Sequence, residues 1–128
     1  MARRDEVRLT VPAMPEFLRL ARVTAAGLAS RLGFTFDQVE DLRLAIDELC
    51  FGLTGLQGRP GTVHLRYVVG LDALEVEGEG RFEDDRKPQL SELSKVILRA
   101  LVDEHELIAG AQGPRFRLVK RRAVPEDG

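Results

Sequence analysis

At 128 residues the chain has the length of one domain with one sizeable core. Nineteen Lys and Arg against 21 Asp and Glu leave a formal charge of −2, which excludes the basic field that nucleic acid requires and gives no basic helix for an anionic membrane. No apolar run approaches the roughly 20 residues of a bilayer span, and Arg3 and Arg4 precede acidic residues rather than an apolar signal core, so a cytoplasmic protein is expected.

In chain order, Val7, Leu9 and Val11 alternate with polar residues and predict a half-buried strand ending at Pro12. From Pro15 to Leu32 the set Phe17, Leu20, Ala21, Thr24, Ala25, Leu28 and Leu32 keeps a helical period, and Gly33 suits the stop. A second helix is predicted over Phe36 to Thr54, with a capping box of Thr35 and Gln38 at its start and Gly55 at its end. After the loop Gln57-Gly58-Arg59-Pro60-Gly61, Val63, Leu65, Tyr67 and Val69, then Leu74 and Val76, predict a β-hairpin turning at Gly70 to Ala73. Gly78 to Gln89 is polar and irregular and reads as loop. A third helix is expected over Ser91 to Glu104, with Leu93, Val96, Ile97, Ala100 and Leu101 inward. A last hairpin follows: Glu106 to Ala109, a turn at Gly110 to Gly113, then Phe116, Leu118 and Val119. Residues Ala123 to Gly128 have little to bury and are expected to fray. The order β-α-α-β-β-α-β-β argues an α/β two-layer sandwich, one mixed, mostly antiparallel sheet with helices on one face, as a single domain over residues 1–128.

Fold-independent chemistry is scarce. His64 and His105 are far apart, nothing has zinc-ligand spacing, and there is no nucleophile elbow or P-loop. Cys50, the one cysteine, reads as a buried inert thiol. The informative stretch is the second helix. Val39, Leu42, Ile46, Leu49 and Leu53 form its apolar side, and Asp41, Ala45, Glu48 and Gly52 form a stripe beside it. That stripe is either the wall of a pocket or a solvated helix edge, and periodicity does not choose between them.

Three stretches in order resemble one family: Ala21-Arg22-Val23-Thr24; the run Asp41 to Gly52; and Leu98-Arg99-Ala100-Leu101-Val102-Asp103-Glu104, followed after the glycine turn by Phe116-Arg117-Leu118-Val119-Lys120-Arg121. Together they are similar to the RsbW-type anti-sigma factor serine kinases of the GHKL superfamily, whose ATPase domain has the Bergerat-type sandwich expected above. The resemblance spans about Val7 to Arg121.

The resemblance implies roles at particular positions. Glu48 matches the glutamate that acts as base, and the asparagine that carries magnesium one turn later is Gly52 here. The aspartate that receives the adenine amino group falls at Gly78, with Gly80 in the following glycine pair, and Glu77 would serve only after a one-residue slip. The glycine box before the third helix reads Glu92-Leu93-Ser94, and the lid, about Arg81 to Ser91, is short. ATP and magnesium binding is therefore expected to be weak or absent, with Gly52→Asn as the change that would restore a metal ligand. Arg22 matches the arginine that meets the protein partners, although the residues alone also fit a solvated helix arginine. The resemblance thus implies an anti-sigma-factor-like regulator binding a sigma factor or a STAS-type anti-anti-sigma protein, with a homodimer plausible and an enzyme disfavoured. The alternative is an active serine kinase acting on the antagonist, and a third reading is a sensory domain that keeps only the fold.

Overall fold

A computed structural model describes residues 5–123. The elements are β1 (Asp5–Pro12), α1 (Pro15–Arg31), α2 (Phe36–Thr54), β2 (Gly61–Val69), β3 (Ala73–Phe82), α3 (Glu92–Leu101), β4 (Glu104–Gly110) and β5 (Gly113–Arg121). The strands form one sheet in the order β1-β2-β3-β5-β4, and each pairing is antiparallel. The expected two-layer sandwich is present. No described helix is long and apolar enough to cross a membrane.

Pleat alternation sorts the sheet into two faces. Val63, Leu65 and Tyr67 of β2, Leu74 and Val76 of β3, and Phe116 and Leu118 of β5 are buried in the core shared with α1 and α2. Among the described residues the opposite face carries no helix. There Arg66 bonds Glu77 at 3.2 Å and Arg117 bonds Glu75 at 2.7 Å and Glu104 at 3.3 Å, half-exposed pairs that fix charge pattern more than stability.

The helices follow local rules, with corrections. On α2 the capping box forms in both directions, Thr35 N–H to Gln38 Oε1 at 2.9 Å and Gln38 N–H to Thr35 Oγ1 at 3.2 Å, and Gly55 ends the helix at φ 80°. On α1 the buried residues are Leu18, Ala21, Ala25 and Ala29, whereas Phe17 and Leu20, expected inward, are each 42% exposed. The alanines let α1 lie close against the sheet, where the Tyr67 hydroxyl donates to the Ala21 carbonyl at 2.9 Å. Ala21, Ala25, Leu28 and Leu32 of the expected set do face the core, so the misreading is confined to Phe17 and Leu20, whose large side chains outweigh Leu18.

Two further expectations are corrected. The segment from Gly78 is not yet loop: β3 continues to Phe82, with Gly78 and Gly80 buried and Glu77, Glu79 and Arg81 on the open face. The alternation is hidden because its inward members have no side chain. α3 stops at Leu101, where the Lys120 ammonium donates to the last carbonyl at 2.6 Å, and Glu104 already begins β4. Leu98 is its buried residue, while Leu93 and Val96 are 68% and 54% exposed. The fraying expected of residues 123–128 falls, but for Ala123, outside the described residues.

Candidate functional site

At 100° per residue α2 has distinct sides. Leu42, Ile46, Leu49 and Leu53 are buried towards the sheet, and Leu44 and Phe51 form an exposed crest. On one side of the crest Asp47 reaches α1, accepting from Arg22 Nη1 at 2.7 Å. On the other, Glu48 reaches α3. At Glu48 and Gly52 the stripe is therefore not a solvated edge but the surface on which α3 and the segment before it are packed, while Asp41 stays half-exposed and pairs with Lys120 of β5 at 3.6 Å.

Each expected position in that wall has a definite occupant. Glu48 Oε2 accepts from the Ser94 hydroxyl at 2.8 Å, and Ser94 is fixed in turn by Ser91, the N-cap of α3, whose Oγ accepts from the Ser94 N–H at 3.0 Å. Glu48 and Ser94 are thus brought together, with the serine hydroxyl on the carboxylate. Gly52 accepts through its carbonyl from the Gln89 N–H at 3.0 Å. A Cβ there would stand 2.9 Å from the Gln89 carbonyl oxygen and from the δ-carbons of Leu90 and Leu107, so the glycine is what admits the crossing segment.

The other two glycines are filled over by aromatic rings. Gly78 pairs with Phe116 across the β3–β5 ladder, and a Cβ on Gly78 would lie 2.3 Å from that ring. A Cβ on Gly80 would lie 2.2 Å from the Phe82 ring, which folds back over it. The volume beside the missing side chains is occupied by the protein's own core, Phe116 being 1% exposed.

At Gly78 and Gly52, which the resemblance assigns to the adenine carboxylate and the metal ligand, no side chain is present; Phe116 stands against the first, and Gln89 and Leu90 against the second. Among the described residues no three His, Cys, Asp or Glu side chains gather as a metal site. Gly52→Asn, attractive from sequence, is expected to push residues 89–90 off α2, lowering the melting temperature by several degrees without creating nucleotide binding, as thermal denaturation and calorimetry with Mg-ATP would register.

Arg22 lies apart from this wall, on the other side of α2. It borders a groove of about 350 Å³ with Leu18, Arg19, Asp47, Cys50 and Phe51. Its Nη1 is held by Asp47, while its Nε is buried with no hydrogen-bond partner among the described residues. Cys50 is buried, and burial, assisted by Asp47, pushes its thiol up to about 12. A thiol so held is inert at neutral pH, as expected.

Sequence reasoning missed Arg59 and Asp84. Arg59 stands in a loop marked only as turn chemistry, yet it is 4% exposed and its Nε donates to Asp84 Oδ1 at 2.8 Å. The guanidinium holds the Asp84 carboxyl below its ordinary value. The partners are 25 residues apart, so no local spacing signals the pair; the one available sign was a lone arginine among the turn-forming residues 57–61.

No family model matches the chain. It is similar to the serine-protein kinase RsbW of Bacillus subtilis (strain 168), 38% identical over 92 residues, covering 66% of this chain and 57% of that relative. With the RsbW serine-protein kinase of Bacillus pumilus (strain SAFR-032) it is 30% identical over 148 residues, covering 96% of this chain and 91% of the relative. With that of Bacillus velezensis it is 36% identical over 92 residues, 66% and 57% of the two chains. The chain thus spans little more than half the length of the B. subtilis and B. velezensis relatives. The B. pumilus alignment is longer than this chain, so that relative carries residues inside the matched span that this chain lacks.

Proposed function

Because the chain belongs to the RsbW serine-protein kinase family, we propose that it is an anti-sigma-factor-like regulatory protein, a single cytoplasmic domain that binds a sigma factor or an anti-anti-sigma protein. In this reading ATP binding and kinase activity are weak or lost. The observation that carries it is the Phe116 ring lying where a side chain at Gly78 would have to stand. The resemblance asks for a carboxylate at that position, and the ring takes the space it would need. The loss extends to the metal, since Gly52 offers no oxygen from a side chain, and each polar contact to a charged group is worth about 1.5–3 kcal/mol. Self-association into a homodimer belongs to the same proposal.

The surface retained for partners is the α1–α2 groove, with Arg22 as its contact. The Arg22 side chain is about a third exposed beside Asp47, so an acidic side chain of a partner can meet the open part of its guanidinium. Arg22→Ala is expected to weaken partner binding about tenfold or more, the scale of one charge-assisted hydrogen bond, with little change in thermal stability. An unchanged affinity in calorimetry would remove Arg22 from the interface.

The competing reading is an active serine kinase, favoured by the relatives' name and by the retention of Glu48. Calorimetry with Mg-ATP separates the two. No heat at millimolar nucleotide, together with retained binding to a sigma factor or to an anti-anti-sigma domain, supports the regulator. Micromolar nucleotide binding with phosphate transfer to a serine of the partner overturns it.

A further inference from the structure

The segment between β3 and α3 crosses the C-terminal end of α2 and is tied there by a side chain that belongs to none of the nucleotide positions. Arg59 places its guanidinium where three elements meet. Nε and Nη2 both engage the Asp84 carboxylate, Nε at 2.8 Å; Nη2 also donates to the Arg86 carbonyl at 2.9 Å. Nη1 donates to the Leu53 carbonyl at 3.1 Å, near the end of α2, and the Phe82 ring lies 4.0 Å from the guanidinium carbon.

Backbone bonds close both ends of the same segment: the Glu83 N–H donates to the Pro60 carbonyl and the Gln89 N–H to the Gly52 carbonyl, each at 3.0 Å. A buried guanidinium is tolerated only with its donors filled, and removing its acceptors is more costly than the bonds themselves suggest. Opening this segment therefore exposes a charge that is built to stay covered.

We propose that Arg59 is a strap: through Asp84, Arg86 and Phe82 it holds residues 83–91 shut over α2 without any ligand, and so keeps Ser94 on Glu48. The segment has one position, set by the chain itself. A nucleotide is then neither needed to order it nor able to signal through it. This goes beyond the partner reading, since it holds whichever protein the α1 groove takes.

The test compares the full chain with Asp84→Asn, a substitution of similar size at a half-exposed site that leaves the core untouched. Trypsin is followed at the Arg86–Lys87 bond by mass spectrometry, and hydrogen exchange at the Gln89 amide. The parent chain is expected to be cut about tenfold or more slowly there than the variant, at a temperature where circular dichroism shows both to be folded, and with no change on adding millimolar Mg-ATP. Equal cleavage rates overturn the strap, as does further protection by Mg-ATP. Should Asp84→Asn fail to fold, exchange in the parent chain decides: a Gln89 amide exchanging as fast as in an unstructured peptide overturns the proposal, and strong protection without nucleotide upholds it. Loop protection without ligand reports on the strap, whereas nucleotide heat reports on the proposed function, so the two fail separately.

Discussion

Gly78→Asp is expected to unfold the protein rather than to return an adenine contact. The new Cβ would stand 2.3 Å from the Phe116 ring and the carboxylate would follow it into the core. Overpacking alone costs about 1–3 kcal/mol, and a buried, unpaired carboxylate adds several kcal/mol more. The sum reaches the whole stability of a typical domain, about 5–15 kcal/mol. Circular dichroism should show a chain without a cooperative melt. A folded Gly78→Asp protein that binds Mg-ATP would mean that the ring yields readily and that the pocket is latent, not filled.

Phe116→Ala removes the ring itself. Gly78 sits beneath it and offers nothing to collapse into the space, so the full transfer and cavity terms are expected, about 3–5 kcal/mol. In a domain of this size that lowers the melting temperature by roughly 10–20 °C. No nucleotide binding should appear, because Leu90, Leu107 and the bond from Gln89 to Gly52 still cover the metal-ligand position. A loss of only a degree or two in a thermal melt would show that the ring is not the filling of the site. The double variant Phe116→Ala/Gly78→Asp should be more stable than Gly78→Asp alone, since residues in direct contact do not add independently.

What the sequence discloses divides along physical lines. The faces of α2 are legible because large apolar residues recur at helical spacing, and the capping box is a local signal that Thr35 and Gln38 carry by themselves. The missing side chains at Gly52 and Gly78 are also legible, being an absence at a position. What fills the absence is not. Phe116 reads as an ordinary core residue, and only the β3–β5 register brings it over Gly78. Gly78 and Gly80 conceal the rest of β3, since alternation is recognised through side chains they lack. Arg59 is illegible for a different reason: a buried arginine is defined by its acceptors, and these come from α2, from Asp84 and from Arg86, each fixed only once the chain has folded.

The pairing of Gly78 with Phe116 makes each residue a condition for keeping the other. A carboxylate now meets the ring, and trimming the ring first leaves a hole. Every single change that adds a side chain at Gly78 or trims the ring passes through a less stable protein, and Gln89 over Gly52 sets the same obstacle there. Variation at these positions is therefore coupled, whereas the exposed side of α1 can change one residue at a time.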